Sequence, residues 1–157
     1  MFQLRKKTIA ATTAAFAYVK LPAGAVPVPA AELQSAYTGK TAKWSDGGSV
    51  YWSGDGKVIG IYKNDAIGDG TWTVADGKVC SDIVWQGIHP KPGEKPLDMK
   101  NCWSYMRSGK TVYHQFTSDT LKSDAGWWKP PSDLEAMKSG NLIQSKYDAI
   151  KAKLPKT

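Results

Sequence analysis

Histidine and cysteine are scarce in this chain, two of each among 157 residues. His89, His114, Cys80 and Cys102 fall at no finger-type spacing, so no zinc site and no other metal or cofactor is expected. The signatures G-x-S-x-G, H-E-x-x-H, the P-loop and the dinucleotide fingerprint are all missing. A hydrolase would therefore have to assemble its acid–base pair by folding alone. Asp46, Asp55, Asp69 and Asp76 each precede glycine, but without the D-x-D-x-D-G spacing of a calcium loop they read as turn residues. Apolar runs are short as well. The longest uncharged stretch near the start, Thr8 to Val19, falls below the roughly 20 residues of a membrane span, so no stable membrane anchor is expected.

That stretch has a different use. Arg5-Lys6-Lys7 precedes it, and Leu21-Pro22-Ala23-Gly24-Ala25 follows, with an A-x-A-like site. A charged n-region, an apolar h-region and small residues at a cleavage point describe a signal peptide cut after Ala25. Residues 1–25 are thus expected to be removed, leaving 26–157 as one domain in the periplasm or secreted. Removal takes Arg5, Lys6, Lys7 and Lys20 and no acid, lowering the formal charge from +7 to +3. The remaining excess is a lysine-dotted tail after Trp128, without the basic aromatic face that nucleic acid requires. An even pair of cysteines in an oxidising compartment is read as a disulfide, Cys80–Cys102, with Cα atoms about 5.5–6 Å apart. Closing that loop would stabilise the fold by roughly 3 kcal/mol.

The order of elements follows from turn chemistry. Pro29 to Tyr37 reads as a short helix stopped by Gly39. After Lys40, strands are separated by Gly-containing turns: 49–53 and 57–62 about Gly54-Asp55-Gly56, 71–74 and 78–85 about Asp76-Gly77, and 102–107 and 111–117 about Ser108-Gly109. Within them apolar residues alternate, Val79, Ile83 and Trp85 on one face and Val112, His114 and Phe116 on another. Trp127-Trp128 reads as one further strand ended by Pro130-Pro131. A mainly β chain of this kind, an antiparallel meander of about seven or eight strands, is expected to curl into a small lipocalin-like barrel. Residues 131–157 form a helical extension. Ser132-Asp133-Leu134-Glu135 and Asn141-Leu142-Ile143-Gln144 read as capping boxes, and Leu142, Lys146, Ala149, Ile150 and Lys153 as one packed side.

Gly39-Lys40-Thr41-x-x-Trp44, Gly47-Gly48-x-x-Tyr51-Trp52-x-x-Asp55-Gly56, Gly68-x-Gly70-x-Trp72-x-Val74-x-Asp76-Gly77-x-x-Cys80 and Cys102-Trp103, with Gly109-x-x-x-Tyr113 behind, occur in this order. Together they resemble the domain of unknown function 995, a family of small exported proteobacterial proteins, over roughly Ala31 to Gly140. The resemblance implies an exported β-rich domain with paired cysteines in the bacterial envelope. It brings no activity and no catalytic residues.

Recognition is then expected to rest on aromatic surface and on the Pro-rich connection Gln86–Lys100, the longest in the chain. At least one tryptophan or tyrosine is expected to be exposed beside it, with Trp85 and Trp103, at the strand ends flanking it, the leading candidates, and His89 lies in the loop itself. His114 lies on an apolar face, the usual place of a hydrogen-bonded core or cavity histidine. Adjacent Trp127 and Trp128 must point to opposite faces, the outward one being the better recognition surface. These six residues are the candidate binding residues. They point to a monomeric binding module for a small apolar or glycan ligand at the barrel mouth. An envelope protein-interaction factor or inhibitor acting through loops is the alternative.

Overall fold

The computed structural model describes residues 18–120, 126–129 and 133–156. The charged n-region, the apolar run as far as Ala17, Ser132 as a helix cap and Pro130-Pro131 as a strand terminator lie outside them. Nine strand segments form one antiparallel sheet, curled into a half-barrel. They are β1 (Val26–Pro27), β2 (Lys40–Lys43), β3 (Gly48–Trp52), β4 (Lys57–Tyr62), β5 (Ala66–Ala75), β6 (Lys78–Gly87), β7 (Leu97–Ser108), β8 (Thr111–Ser118) and β9 (Lys138–Ser139). From β2 to β8 each strand pairs with the next, the expected meander, while β1 and β9 are two-residue additions on β7 and β2.

The turns follow from the residues. Asp76-Gly77 joins Ala75 to Lys78, with Gly77 at φ 70°, the positive value a tight hairpin needs. Asp69-Gly70 departs from the turn expectation, because it lies inside β5, opposite Val84 and Ile83. Glycine is required there by packing: a Cβ on Gly70 would collide with the Asp82 carbonyl of the neighbouring strand. The long connection is also shorter than expected, since β6 continues to Gly87 and β7 begins at Leu97.

Period-two alternation sorts the side chains into two faces. One row across the concave face holds Trp52, Val58, Gly70, Ile83 and Met99, and the next holds Trp72, Ser81 and Asn101. The helix α1 (Ala30–Tyr37) closes one end of this face. Leu33 and Tyr37, one turn apart, are fully buried, and the Tyr37 and Tyr105 hydroxyls hydrogen-bond at 2.6 Å. The Ala30 amide donates to Asp76, and Arg107 forms a forked pair with Glu32, holding α1 to the β5–β6 turn and to β7.

The convex face carries the second helix, α2 (Gln144–Lys151). Its buried side is Ile143, Tyr147 and Ile150, packed on Ile61 and Ile67, and Leu142 is exposed. The side expected from sequence is therefore rotated. The outer face of β4 and β5 offers isoleucines, and the i, i+4, i+7 set that meets them excludes lysine. Asn141 acts locally, accepting from the Ile143 amide and donating to Gln144, but caps no helical turn directly. Asp133–Ala136 forms one 3-10 turn.

Cys80 and Cys102 are bonded. Their Cα atoms are 4.1 Å apart, closer than expected, because the two residues stand directly opposite each other on β6 and β7. Narrow pairs of an antiparallel ladder sit about 4.5 Å apart. The bond therefore staples the ladder two residue pairs from its Lys78–Ser104 end and five from the loop base at Trp85 and Leu97. It fits an oxidising, extracytoplasmic location. No helix among the described residues is long and apolar enough to cross a membrane.

Candidate functional site

At the end of the sheet opposite α1, β6 and β7 separate around residues 88–96, which form the connection between them. Beneath this loop lies a pocket of about 600 Å³, within the range of small-molecule sites. Trp85, the last inward side chain of β6, contributes one wall. Pro90, Lys95 and Pro96 come from the loop, and Leu154 and Pro155 come from the segment after α2. Apolar surface thus predominates, with Gln86, His89, Glu94 and Lys95 supplying polar groups at intervals. The loop is internally held: Glu94 accepts from the Lys91 amide through Oε2, and its own amide donates to the Lys91 carbonyl. Pro90, Pro92 and Pro96 restrict the backbone further.

Trp85 is placed by what its neighbours lack. It stands opposite Gly68 on β5, which stands opposite Gly60 on β4. A Cβ on Gly60 would lie 2.6 Å from Trp85 Cη2, and one on Gly68 would lie 2.9 Å from Cδ2. The indole therefore lies flat across two glycines, using volume that any side chain would occupy. This corrects the expected exposure: Trp85 and Trp103 are 5% and 3% exposed. Trp85 still borders the pocket from within. Trp103 lies deeper on the concave face, stacked on Trp44 at 6.4 Å and edge-on to Trp52 at 6.1 Å. Its size and its position opposite Val79 and Phe116 draw it into the core.

His89 reaches the pocket as part of the loop. His114 does not. It is buried on β8, with its ring 6.2 Å from Trp128 and 6.3 Å from Tyr105, and burial lowers its pKa to about 4. At neutral pH the ring is uncharged. Trp128 exchanges both backbone hydrogen bonds with His114, and Trp127 accepts one from the Val19 amide. Both tryptophans are half-buried, and Trp128 meets Tyr18 edge-on at 4.6 Å. The six candidate residues thus separate into three places: the loop pocket, the concave core and the outer edge of β8.

Sequence reasoning missed Leu154, Pro155 and the glycine floor. The first two reach the pocket only because α2 crosses the convex face toward the loop end, which no local pattern records. Gly68 and Gly70 did leave a signal, since glycines spaced by two inside one strand mark a strip without side chains, whereas Gly60 stands alone in β4. Elsewhere the convex face is structural. Tyr147 donates to Asp69, and burial together with that carboxylate pushes the phenol above its usual range. Asp82 is pushed upward by its hydrogen bond to Asp98, on an exposed surface. Among the described residues, no three of His, Cys, Asp and Glu converge as metal ligands.

The chain belongs to the family described as Protein of unknown function (DUF995), whose model matches residues 3–138. The match takes in the charged and apolar runs at the start as well as the sheet. No curated protein and no solved structure matches the chain.

Proposed function

We propose that this protein is an exported binding module of the bacterial envelope, periplasmic or secreted, and that it takes a small amphiphilic molecule in the loop-end pocket. The observation that carries this reading is the pocket of about 600 Å³ between Trp85, the 88–96 loop and Leu154-Pro155. Its apolar walls suit an acyl or ring-like body. His89 and Lys95 at the loop suit a polar or acidic head. Export is supported by the leader, by the disulfide and by the position of the core. Among the described residues the buried cluster begins at Val28, beyond the cleavage point after Ala25, and Val26 would still pair with Arg107. The mature protein should begin at Val26 by mass spectrometry.

The test is a calorimetric titration of residues 26–157 with dodecanoate and with anilinonaphthalene sulfonate. Both should bind saturably and compete. Deleting Lys91–Lys95 should leave the fold intact, since exposed loop tips tolerate change, and should weaken both by at least tenfold. Failure of either probe to bind, or undiminished binding to the deletion variant, argues against the reading.

A second reading, a protein-interaction factor or inhibitor, draws on the exposure of every residue from His89 to Pro96. It requires the loop to bind a folded partner while the pocket stays empty.

A further inference from the structure

The strand edge beyond β8 plays no part in the loop pocket, and the chain covers it in an unusual way. Trp128 exchanges backbone hydrogen bonds with His114, so residues 126–128 run as a short added strand beside β8. In an antiparallel pair the residue next to a hydrogen-bonded one turns its backbone groups to the other side. Trp127 therefore faces away from β8. Among the described residues its partner there is Val19, in an antiparallel bridge whose Val19 amide donates to the Trp127 carbonyl at 2.7 Å.

The side chains complete the seat. In that register Tyr18 falls on the face of Gly126 and Trp128, and Val19 on the face of Trp127. The Tyr18 ring meets Trp128 edge-on at 4.6 Å. It also covers Gly126, where a Cβ would lie 1.9 Å from Tyr18 Cδ1. The backbone of Gly126 is outside the left-handed region, so it is this ring, and not a turn, that needs a glycine there. A bare backbone strip, an indole edge and a strand edge thus receive an aromatic residue followed by a β-branched one.

Tyr18 and Val19 precede the cleavage point after Ala25. The mature chain, residues 26–157, would keep Gly126, Trp127 and Trp128 and lose what covers them. Val26 and Pro27 do not take over, because they pair with Arg107 and Met106 on β7. An uncovered edge of this kind is a template for another strand. We infer that in the mature protein the 126–128 edge is a docking surface for an extended peptide segment of a partner protein, one in which an aromatic residue is followed by a β-branched aliphatic residue. Main-chain hydrogen bonds to Trp127 hold such a strand, and the gap over Gly126 selects the ring. A second copy suits the seat less well. Among the described residues Tyr18 is the one aromatic of the exposed large apolar side chains, and a copy without its leader has lost it. The inference rests on the export reading and not on the loop pocket.

The experiment titrates ¹⁵N-labelled residues 26–157, and separately residues 18–157, with the peptide acetyl-Tyr-Val-Lys-Leu-Pro-amide, the sequence of residues 18–22. Residues 26–157 should show saturable shifts at the amides of Gly126, Trp127 and Trp128 at millimolar peptide. Residues 18–157, whose seat is filled, should bind roughly tenfold more weakly or not at all. Gly126→Ala puts a methyl where the ring lies and should weaken binding by a similar factor, with the melting temperature unchanged. Should that variant fail to fold, a peptide with serine in place of tyrosine makes the same test from the other side and should bind as weakly. No saturable shift, equal binding by both lengths of protein, indifference to both changes, or self-association of residues 26–157 through the same amides overturns the inference. Native protein beginning at or before Tyr18 by mass spectrometry would overturn cleavage after Ala25 and the open edge with it, whereas the titration of residues 26–157 reads the seat alone.

Discussion

At the scale of single residues, His114 and the glycines under Trp85 carry the sharpest consequences. Burial lowers the folded-state pKa of His114 from 6.5 to about 4. Between those values the unfolded chain holds a proton that the folded chain does not, so stability falls as pH drops through this window and levels off below it. The total loss is about 3 kcal/mol. Urea unfolding at steps from pH 7 to pH 4 should show it, and His114→Phe should remove that component of the slope. Gly68→Ala tests the packing of Trp85. The added methyl meets Ile83 and the indole at once, and the rigid strand behind gives no relief. It should cost about 1–3 kcal/mol in urea unfolding and displace Trp85 from the pocket wall, weakening dodecanoate binding. His114 was legible in the sequence as a histidine on an apolar face. The burial of Trp85 was not, because it depends on glycines from two other strands that become neighbours only once the register is set.

At the scale of elements, the hairpins were legible because Asp-Gly and Ser-Gly are tied to particular backbone conformations. Asp69-Gly70 shows the limit of that code. The same dipeptide serves a strand when the glycine answers to a neighbouring carbonyl, as here with Asp82. The disulfide was legible as a pair, but its place in the β6–β7 ladder, five residue pairs from the loop, was not, since β7 begins at Leu97, well before Cys102. Its contribution comes from closing a loop across a sequence separation of 22. Replacing Cys80 and Cys102 together with serine should lower stability by about 2–4 kcal/mol in chemical unfolding, with an unchanged circular dichroism spectrum. The α2 face was misread for a tertiary reason. Leu142 looks as apolar as Ile143, and only the isoleucines waiting on β4 and β5 decide which one is buried.

At the scale of the whole molecule, a curled sheet carries one helix inside and one outside. α1 fills the concave face at the β5–β6 turn end, and α2 directs Leu154 and Pro155 toward the 88–96 loop. Together they leave the loop end for the ligand pocket. The meander was legible from period-two patterning. The pocket was not, because its walls come from β6, the loop and the chain terminus, far apart in sequence. The most direct test of the loop pocket as the primary ligand site is chemical-shift mapping of ¹⁵N-labelled residues 26–157 titrated with dodecanoate. Saturable shifts should concentrate on the amides of Gln86 to Leu97 and of Leu154 and on the Trp85 indole N–H. Absence of any saturable shift, or shifts confined to residues away from the loop end, would contradict that assignment.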